Sequence, residues 1–501
     1  MLRIVRAFWH DQRGIALILV SVMLPAIIGF SLLAIDMSRV NNMHNDLQKG
    51  ADALALAGAA ELDGTTGAWA RAERAMATLV SNEGHFSTAA PNGRFTLTSG
   101  QPGGTLRCNS AGNISWCFLK SLPNDNVAIT TANYANTDPA TGELETRFIR
   151  VTVAPTGFAA IFPASFLTGN TASNGFNVGA VSVAGFRSSV CDYTPVFICN
   201  PYEMVNGTNT AGGITLEQAA NSQQYRRRQI LLRDNGFYQP GNFAFLASPE
   251  GNGAQALEAS LARVKPVGCY AQDGVDTEPG QSTGPVQDGL NARFGISKSY
   301  IGSVNGPAAN VRMGLKSINC NSGKTDFETD VNRGVGLERD SCQMTGTCTM
   351  MGGRMGTGDW NASRYWTVNH PTRGALSSSL VGATRYEMYR YELNPDGNPA
   401  TNDSIVGDAS VGGETGNPSC SQTPVTTVDR RILYGAIIDC QAIGGFNGRA
   451  TNIPVHAFGS FFITEPIKDS KDIYVELIDI TGKGGRGTLD NFLRDEAQLY
   501  R

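Results

Sequence analysis

The chain has 501 residues, enough for two or three domains, and its formal net charge is −4. A slightly acidic chain lacks the basic face that nucleic-acid binding requires, so we expect no nucleic-acid partner. Charged residues make up 17% of the chain, below the ~25% of an ordinary soluble domain, and glycine is abundant. This composition is typical of a loop-rich protein with β-structure that works outside the cytoplasm.

The first predicted element is a helix over residues 15–35, a segment without any charged side chain. At ~1.5 Å per residue it is about 31 Å long, close to the ~30 Å hydrocarbon core of a bilayer. A cleaved export signal has a shorter apolar region and ends at a site with two small residues, whereas this run ends in Ala34-Ile35-Asp36-Met37. A buried core helix is rarely apolar on every face over this length. We therefore predict a transmembrane helix, with a cleaved signal and a core helix as the alternatives.

The residues that flank this segment predict its orientation. Arg3, Arg6 and Arg13 precede it, against a single acidic residue, Asp11. Segments that carry excess positive charge next to a membrane span stay in the cytoplasm. The sequence therefore predicts a cytoplasmic N-terminus over 1–14, a single-pass anchor in membrane lipid, and export of the remaining chain.

All ten cysteines follow the apolar segment, as expected for disulfides formed in an oxidising compartment. No two of them have the C-x-x-C spacing of a zinc ribbon or a redox motif. The alternative is that some remain free, buried thiols. Short spacings predict four local pairs and leave a fifth: Cys108–Cys117, Cys191–Cys199, Cys342–Cys348, Cys420–Cys440 and Cys269–Cys320.

After Asp36 the helix is predicted to continue to about Leu62, because small or apolar residues recur every three to four positions. A second helix is predicted over 67–81 and a short apolar helix over 157–167. Alternating or β-branched runs predict strands over 94–98, 126–132, 146–154 and 177–186. We interpret residues 36–186 as a long amphipathic helix packed on an antiparallel sheet. The apolar stripe of that helix consists of Met37, Val40, Met43, Leu47, Ala51, Leu54 and the pair Ala57 and Gly58.

From residue 187 the sequence changes to Gly-, Asn- and Thr-rich loops between a few strong segments. We interpret 187–501 as a disulfide-rich mixed α/β domain, so the fold class of the whole chain is α+β. A long insertion around 320–424 is expected to lie extended on the surface. Three late runs are apolar, the first two on consecutive positions, as in strands covered on both faces. The predicted elements are helices over 253–264 and 286–294, and strands over 241–246, 431–440, 453–463 and 473–480.

The residues able to carry chemistry form no catalytic or cofactor motif, so we predict no catalytic, cofactor-binding or metal site. No H-E-x-x-H pattern occurs, and the three histidines well outside the N-terminal region, His85, His370 and His456, are a poor supply for a zinc site. Ser460 lacks the second glycine of a nucleophile elbow. His456 lies four residues before it along a predicted strand, too far to act as its base, and is expected to be buried with satisfied hydrogen bonds.

Three further segments have a functional and a structural interpretation. The run 394–403 gathers oxygen ligands but lacks the EF-hand register, which favours a turn-rich surface loop over a calcium site. The basic run 226–228 suits a phosphate or an acidic partner, although such a run is usually a solvated patch. The glycine-rich run 482–487 lacks the full phosphate-loop pattern and is interpreted as a flexible turn.

The N-terminal pattern resembles a known family. Asp11-Gln12-Arg13-Gly14 precedes the apolar segment, and LQKGADALALAGA, residues 47–59, follows it. Over roughly residues 3–62 this pattern resembles the N-terminal segment of TadE/TadG-like proteins of the bacterial Flp (Tad) pilus-assembly system, which implies a pilin-like helix. Two further segments are similar to TadG-type proteins: residues 279–294, which begin with Pro279-Gly280 and end in GPVQDGLNARF, and ITEP at 463–466. The resemblance implies a single-pass bacterial inner-membrane protein with a periplasmic body.

Two positions depart from related patterns. Type IV pilins carry a glutamate five residues after the processing glycine, and here that position is Leu19, which favours an uncleaved, TadG-like protein. Many TadG proteins carry a von Willebrand factor A domain with an Asp-x-Ser-x-Ser metal motif, which Asp36-Met37-Ser38-Arg39-Val40 does not match. We expect no metal-dependent adhesion, and a degenerate von Willebrand factor A-like fold remains an alternative for 187–501.

The sequence thus predicts a non-enzymatic, membrane-anchored component of Flp pilus assembly that scaffolds or links periplasmic machinery. Its expected partners are inner-membrane lipid and other Tad pilus-assembly proteins. Small residues such as Ala26, Gly29 and Ala34 permit close helix–helix approach, and hence homo- or hetero-oligomers through the N-terminal helix, unless they face lipid. The alternatives are a membrane-tethered periplasmic hydrolase, with a pocket in 187–501, and a surface adhesin.

Overall fold

The chain folds into two compact units, Met1–Arg187 with Asp495–Arg501, and Ser188–Arg494. Residues 495–501, predicted as part of the second domain, belong to the first unit. The computed structural model describes residues 13–63, 66–79, 106–124, 126–162, 165, 169–170, 175–205, 208–209, 211–233, 242–248, 250–271, 274–280, 283–296, 305–320, 324–327, 333, 335–398, 400–408, 414–420, 423–426, 429–444, 448–468, 472–482 and 485–500.

The first unit is built around a helix of 47 residues, α1, Arg13–Ala59. Its second half buries most of the predicted apolar stripe, with Met43, Leu47, Ala51 and Leu54 almost fully covered, whereas Met37 exposes 50% of its surface. The prediction of one continuous helix is therefore confirmed, and its end falls three residues before the expected Leu62. Two shorter helices follow: α2, Ala68–Leu79, which confirms the prediction over 67–81, and α3, Pro139–Glu145.

An antiparallel sheet covers the buried face of α1. Its strands are β1 (Cys108–Ala111), β2 (Ile114–Leu119), β3 (Phe148–Ala159), β4 (Gly175–Cys191) and β15 (Leu493–Leu499), in the order β1-β2-β3-β4-β15, and β8 (Cys269–Ala271) pairs with the last residues of β4. The pairs β1–β2, β2–β3 and β3–β4 are antiparallel. Helix and sheet approach closely because α1 carries Gly58 at the contact, where an added Cβ would lie 2.8 Å from Cδ1 of Ile149.

One local prediction in this unit is wrong, and another is wrong in its first part. Residues 126–132 form a turn that leads into a 3-10 segment, Thr131–Asn133, instead of a strand. Residues 157–159 end β3 and pair with 175–177, so the helix predicted over 157–167 does not begin there. Ser165 is helical, and residues 163–164 and 166–168 lie outside the described residues. The apolar pattern of residues 157–159 predicted a helix, but these residues pair with β4 instead, because packing in a sheet outweighs local preference. The predicted strand over 94–98 lies outside the described residues.

A five-stranded sheet forms the centre of the second unit. Its order is β5-β12-β13-β14-β6, with β5–β12 parallel and the other three pairs antiparallel. Every residue of β13 and β14 is buried, and β12 is almost so, which confirms the prediction of strands covered on both faces. The strands are β5 (Phe197–Cys199), β6 (Gln229–Arg233), β12 (Ile432–Ile438), β13 (Ala457–Ile463) and β14 (Ile473–Ile480).

Helices cover both faces of this sheet. Leu261 and Leu290, from two helices predicted by their periodicity, share a core with Phe461 and Val475 of the central strands. The helices of this unit are α4 (Leu216–Asn221), α5 (Gln223–Arg226), α6 (Ala254–Ala262), α7 (Thr283–Asn291), α8 (Ser341–Thr345), α9 (Ala362–Asn369) and α10 (Arg385–Leu393). Short strands complete the unit: β7 (Asn242–Leu246), β8 (Cys269–Ala271), β9 (Thr277–Pro279), β10 (Leu315–Asn319) and β11 (Lys324–Phe327).

The insertion at 320–424 is not an extended surface loop, and that prediction is wrong. It contains α8, α9 and α10, and its Trp360, Tyr365 and Tyr389 are buried in one cluster with Phe462 of β13. Since the central strands are apolar on both sides, the second side of the sheet must be covered, and the insertion covers it. The described architecture confirms the α+β class. A von Willebrand factor A-like fold stays a prediction.

All ten cysteines form disulfides, and only two of the five predicted pairs are confirmed, Cys108–Cys117 and Cys342–Cys348. The predicted pairs Cys191–Cys199, Cys420–Cys440 and Cys269–Cys320 are wrong. Nearness in sequence failed because strands distant in the chain are neighbours in the sheets, as for β5 and β12. The remaining bonds are Cys191–Cys269, Cys199–Cys440 and Cys320–Cys420.

Candidate functional site

The first half of α1 is apolar and uncovered. Ile18, Val22 and Phe30 expose 64%, 69% and 74% of their surface, on several sides of the helix. In the described part of the chain α1 is the one helix long and apolar enough to cross a membrane by length and composition, and its most apolar window is not buried inside the protein. Ser21 and Ser31 donate their hydroxyls to carbonyls of the preceding turn, so neither needs a polar environment.

A buried carboxylate marks the end of this apolar segment. The Asp36 side chain is fully buried and accepts hydrogen bonds from the backbone N–H of Ile161, at 3.0 Å, and of Phe162, at 2.7 Å. Arg39, one turn on, contacts the same carboxylate at 3.2 Å and also donates to the carbonyl of Ala159. We call this arrangement the Asp36 clasp. It fastens the tip of the β3–β4 hairpin to α1.

Beyond the clasp α1 has two different faces. The stripe described above packs on the sheet, and Gln48 at its border donates to Asp52 and to the carbonyl of Val181. The opposite side is polar and exposed. We call it the polar face of α1, and it consists of Ser38, Asn41, Asn42, His44, Asn45 and Lys49. The first unit therefore leaves a helix surface of more than two turns open to a partner.

The two segments of the second unit that resemble TadG-type proteins meet in the fold. The Asn291 side-chain amide donates to the carbonyl of Ile467 and its oxygen accepts from the N–H of Ile467, both at 2.8 Å. Ile467 directly follows the ITEP segment at 463–466. Arg293 is buried and donates to the carbonyls of Leu261, Arg430 and Ile432. Both segments thus hold α7 against neighbouring chain rather than line an open site.

His370, one of the candidate chemical residues, is fully buried and belongs to a polar network. Its Nε2 is 2.7 Å from Glu392 and its Nδ1 is 2.8 Å from Asp408. Glu392 also accepts from the Tyr365 hydroxyl and lies 3.3 Å from Arg312. Both His370 and Glu392 are closed to solvent, so we interpret the network as the polar core of the insertion.

His456 was expected to be buried, but 32% of its side chain is exposed. Its Nδ1 is 2.7 Å from Asp439 and its Nε2 is 3.3 Å from Glu217. The hydrogen bonds that the His456 imidazolium donates to Asp439 and Glu217 raise its pKa to about 10, against a smaller opposing effect of burial. The Ser460 hydroxyl faces the carbonyl of Asp479 at 3.5 Å, so serine and histidine have separate partners.

The imidazolium of His456 predicts a loss of stability in alkali. Because its folded pKa lies above its unfolded value of ~6.5, its contribution is complete below that pH and is lost as the pH rises toward 10. We expect the difference in unfolding free energy between the wild type and His456→Gln to shrink over this range, measured by urea unfolding at pH 6 to 10. A difference that stays constant with pH would contradict the assignment.

The loop at 394–403 makes its polar contacts internally. Asp396 accepts from the N–H of Asn398 and from the hydroxyl of Thr401, while its own N–H donates to Asp403. This is the hydrogen bonding of a turn-rich loop. Over the described residues no group of three or more His, Cys, Asp or Glu side chains is placed to hold a metal ion.

The basic run 226–228 is neither a solvated patch nor an open anion site. Arg226 is buried and pairs with Glu387 at 3.3 Å, and Arg227 donates to the carbonyl of Trp360 at 3.0 Å. Arg228 lies over the ring of Tyr225. The contacts of Arg226 and Arg227 join the segment before β6 to the insertion, which a run of three basic letters does not reveal.

The glycine-rich run 482–487 is organised by a carboxylate. The buried Asp479 accepts from the N–H groups of Arg486, at 2.7 Å, and Thr488, at 3.0 Å. Those donors, which a phosphate would need, are therefore already occupied. Residues 483–484 of the run lie outside the described residues, as does His85.

The described geometry indicates a class of protein. It has two compact units, its cysteines form disulfides, and its N-terminal helix exposes an apolar segment. The model of the family described as putative Flp pilus-assembly TadE/G-like matches residues 14–61, nearly the whole of α1. The chain therefore carries a TadE/G-like Flp pilus-assembly domain at its N-terminal end, which confirms the resemblance noted in the sequence. Neither the comparison with curated proteins nor that with solved structures finds a match.

Proposed function

We propose that this protein is a non-enzymatic component of Flp pilus assembly, anchored in the bacterial inner membrane by residues 15–35 and offering its periplasmic body to other assembly proteins. The observation that carries the proposal is the division of α1 at Asp36. The part before Asp36 is apolar and uncovered, the part after it is packed on the sheet, and the family model matches both parts. Lipid is the environment that accommodates the first half, because burying apolar surface is worth roughly 25 cal/mol per Å².

The disulfides support a periplasmic location for the body. Five bonds, of which Cys199–Cys440 closes a sequence separation of 241 residues, form and persist in oxidising compartments and are rare in the cytosol. The proposed topology, with residues 1–14 inside and the body outside, satisfies this requirement. It also agrees with the arginines that precede the helix.

The polar face of α1 supports a role in docking. It lies next to the membrane in the proposed topology and belongs to the segment matched by the family model. Three polar side chains that the sequence offers as candidate site residues, His370, Arg226 and Arg227, are instead engaged in contacts that hold the insertion in place. These contacts favour a scaffold over the alternative of a tethered hydrolase.

Crosslinking from the polar face tests the proposal. A photoreactive amino acid at Asn42 or Lys49 is expected to capture other Tad pilus-assembly proteins in cells, identified by mass spectrometry. The matched control is the same probe at Val127, which is 53% exposed on the first unit but away from α1 in sequence. Identical products from all three positions, or products without any pilus-assembly protein, would count against the docking role.

Two further measurements separate the alternatives. A periplasmic reporter fused after residue 501 should be active and a cytoplasmic one silent, and the protein should resist alkaline extraction from membranes. Protease treatment of intact cells should leave the body uncut, whereas a surface adhesin would be cleaved.

A further inference from the structure

The tip of the β3–β4 hairpin lies against the apolar half of α1. A Cβ built on Gly29 would be 3.4 Å from Cε2 of Phe162, so the phenyl ring covers the glycine directly. Ile161, beside it, exposes 49% of its surface. The Asp36 clasp holds the backbone of the same two residues.

This contact has a definite depth along the helix. Gly29 precedes Asp36 by about two turns, or about 10 Å along the axis. Asp36 directly follows the uncharged segment 15–35, so Gly29 is well inside it. A ring that covers Gly29 is therefore at the level of lipid chains whenever that segment spans a bilayer.

The hairpin is suited to such a position by its sequence. No charged residue occurs from Val151 to Phe186, which includes the whole tip. Moving aromatic and aliphatic side chains such as Ile161 and Phe162 out of water lowers the free energy.

The clasp satisfies the backbone donors of Ile161 and Phe162, which would otherwise oppose their entry into lipid. Irregular backbone is excluded from hydrocarbon because its N–H groups lack partners. Here the N–H groups of Ile161 and Phe162 both donate to Asp36, and the charge of Asp36 is balanced by Arg39. A buried acidic side chain at this level is tolerated when it is paired in this way.

We propose that Ile161 and Phe162 form a second membrane contact, inserted among the acyl chains of the periplasmic leaflet beside α1. The inference rests on the proposed anchoring of α1. Two contacts joined by the clasp set the rotation and tilt of α1, and with it of the first unit, relative to the bilayer, which a single span leaves free. The occupant of the surface around Ile161 is lipid, not a partner protein.

The test uses single cysteines, since all ten native cysteines are in disulfides. An environment-sensitive fluorophore is attached to full-length protein carrying Ile161→Cys, reconstituted in phosphatidylcholine vesicles. Phe30→Cys reports on the anchor and Val127→Cys on an aqueous surface of the same unit. We expect doxyl-labelled lipid to quench the probes at 161 and 30, with blue-shifted emission, and iodide in the water to quench only the probe at 127.

Each other outcome is decisive. Iodide quenching at 161 with lipid quenching at 30 overturns the second contact and leaves the anchor intact. Iodide quenching at both positions overturns the anchor itself. Protection of 161 from both quenchers means that a protein surface covers it, which also overturns the inference.

The clasp is tested separately with Asp36→Ala in the Ile161→Cys background. Loss of the acceptor should release the hairpin from α1, so that iodide quenches the probe at 161. A probe at 30, in the protein carrying Asp36→Ala and Phe30→Cys, should still be quenched by lipid. Asp46→Ala, on the same helix, is the control and should change neither. Unaltered quenching at 161 in Asp36→Ala would overturn the role of the clasp.

Discussion

Replacing Arg385 by methionine is expected to lower the unfolding free energy of the second unit by about 3–5 kcal/mol, the usual cost of removing one partner from a buried ion pair. Arg385 is fully buried on α10, 2.6 Å from Asp340 and 3.1 Å from Glu476, both also fully buried. Its guanidinium donates as well to the carbonyls of Glu338 and Arg227. The variant leaves these acceptors and both carboxylates without their shared cation.

Part of this loss of stability should come from Glu476, because the protonation of its carboxyl group depends on Arg385. Burial raises the pKa of Glu476 to about 7, although Arg385 acts to lower it. Without Arg385 the carboxyl group should bind a proton at neutral pH. Adding Glu476→Gln to Arg385→Met should therefore recover part of the lost stability, a coupling that a double-mutant cycle measures.

The control lies on the same helix. Arg390 pairs with Asp429 at 2.9 Å, but half of its side chain is exposed, and such pairs contribute ~0–1 kcal/mol. Arg390→Met should therefore be nearly neutral in urea unfolding of the detergent-solubilised full-length protein. Equal losses for the two variants would show that the buried pair has no special weight.

Replacing Glu392 by glutamine is expected to cost about 3 kcal/mol at pH 7, because a neutral amide no longer balances the buried Arg312. Burial acts to raise the pKa of Glu392, but the hydrogen bond from His370 and the charge of Arg312 outweigh it, so the folded pKa is lowered. Its stabilisation is thus present above the unfolded pKa of ~4.3 and is lost as the pH falls through the folded value.

The wild type should consequently lose more stability between pH 5 and pH 3 than Glu392→Gln does, measured by urea unfolding at each pH. Glu278→Gln is the matched control, since Glu278 lies in the same unit and is partly exposed. Its carboxylate accepts from the N–H of Gly253, a role that the amide oxygen of glutamine also fills. Parallel pH curves for the wild type and Glu392→Gln would contradict the role assigned to the carboxylate.

The parts of the fold that depend on local periodicity could be read from the sequence. The stripe of α1, the helices α6 and α7, and the strands β12 to β14 each bury a face that repeats along a single element. The apolar segment 15–35 is of the same kind, because its exposure follows from uncharged side chains on every side. The family match rests on this region too.

Other assignments required contacts between residues far apart in the chain. The disulfide Cys199–Cys440 exists because β5 lies beside β12, and nothing near either cysteine specifies that neighbour. Short strands such as β1, with Asn109 and Ser110, lack an apolar alternation strong enough to predict.

The sequence by itself determined the apolar helix, its amphipathic continuation and the doubly covered strands, since each is set by side chains a few positions apart. Only the tertiary structure decided that the insertion at 320–424 covers the central sheet and that Arg226 is an internal contact. It also decided that Asp36 fastens a hairpin 125 residues away, because the meaning of a buried charge depends on which distant group it meets.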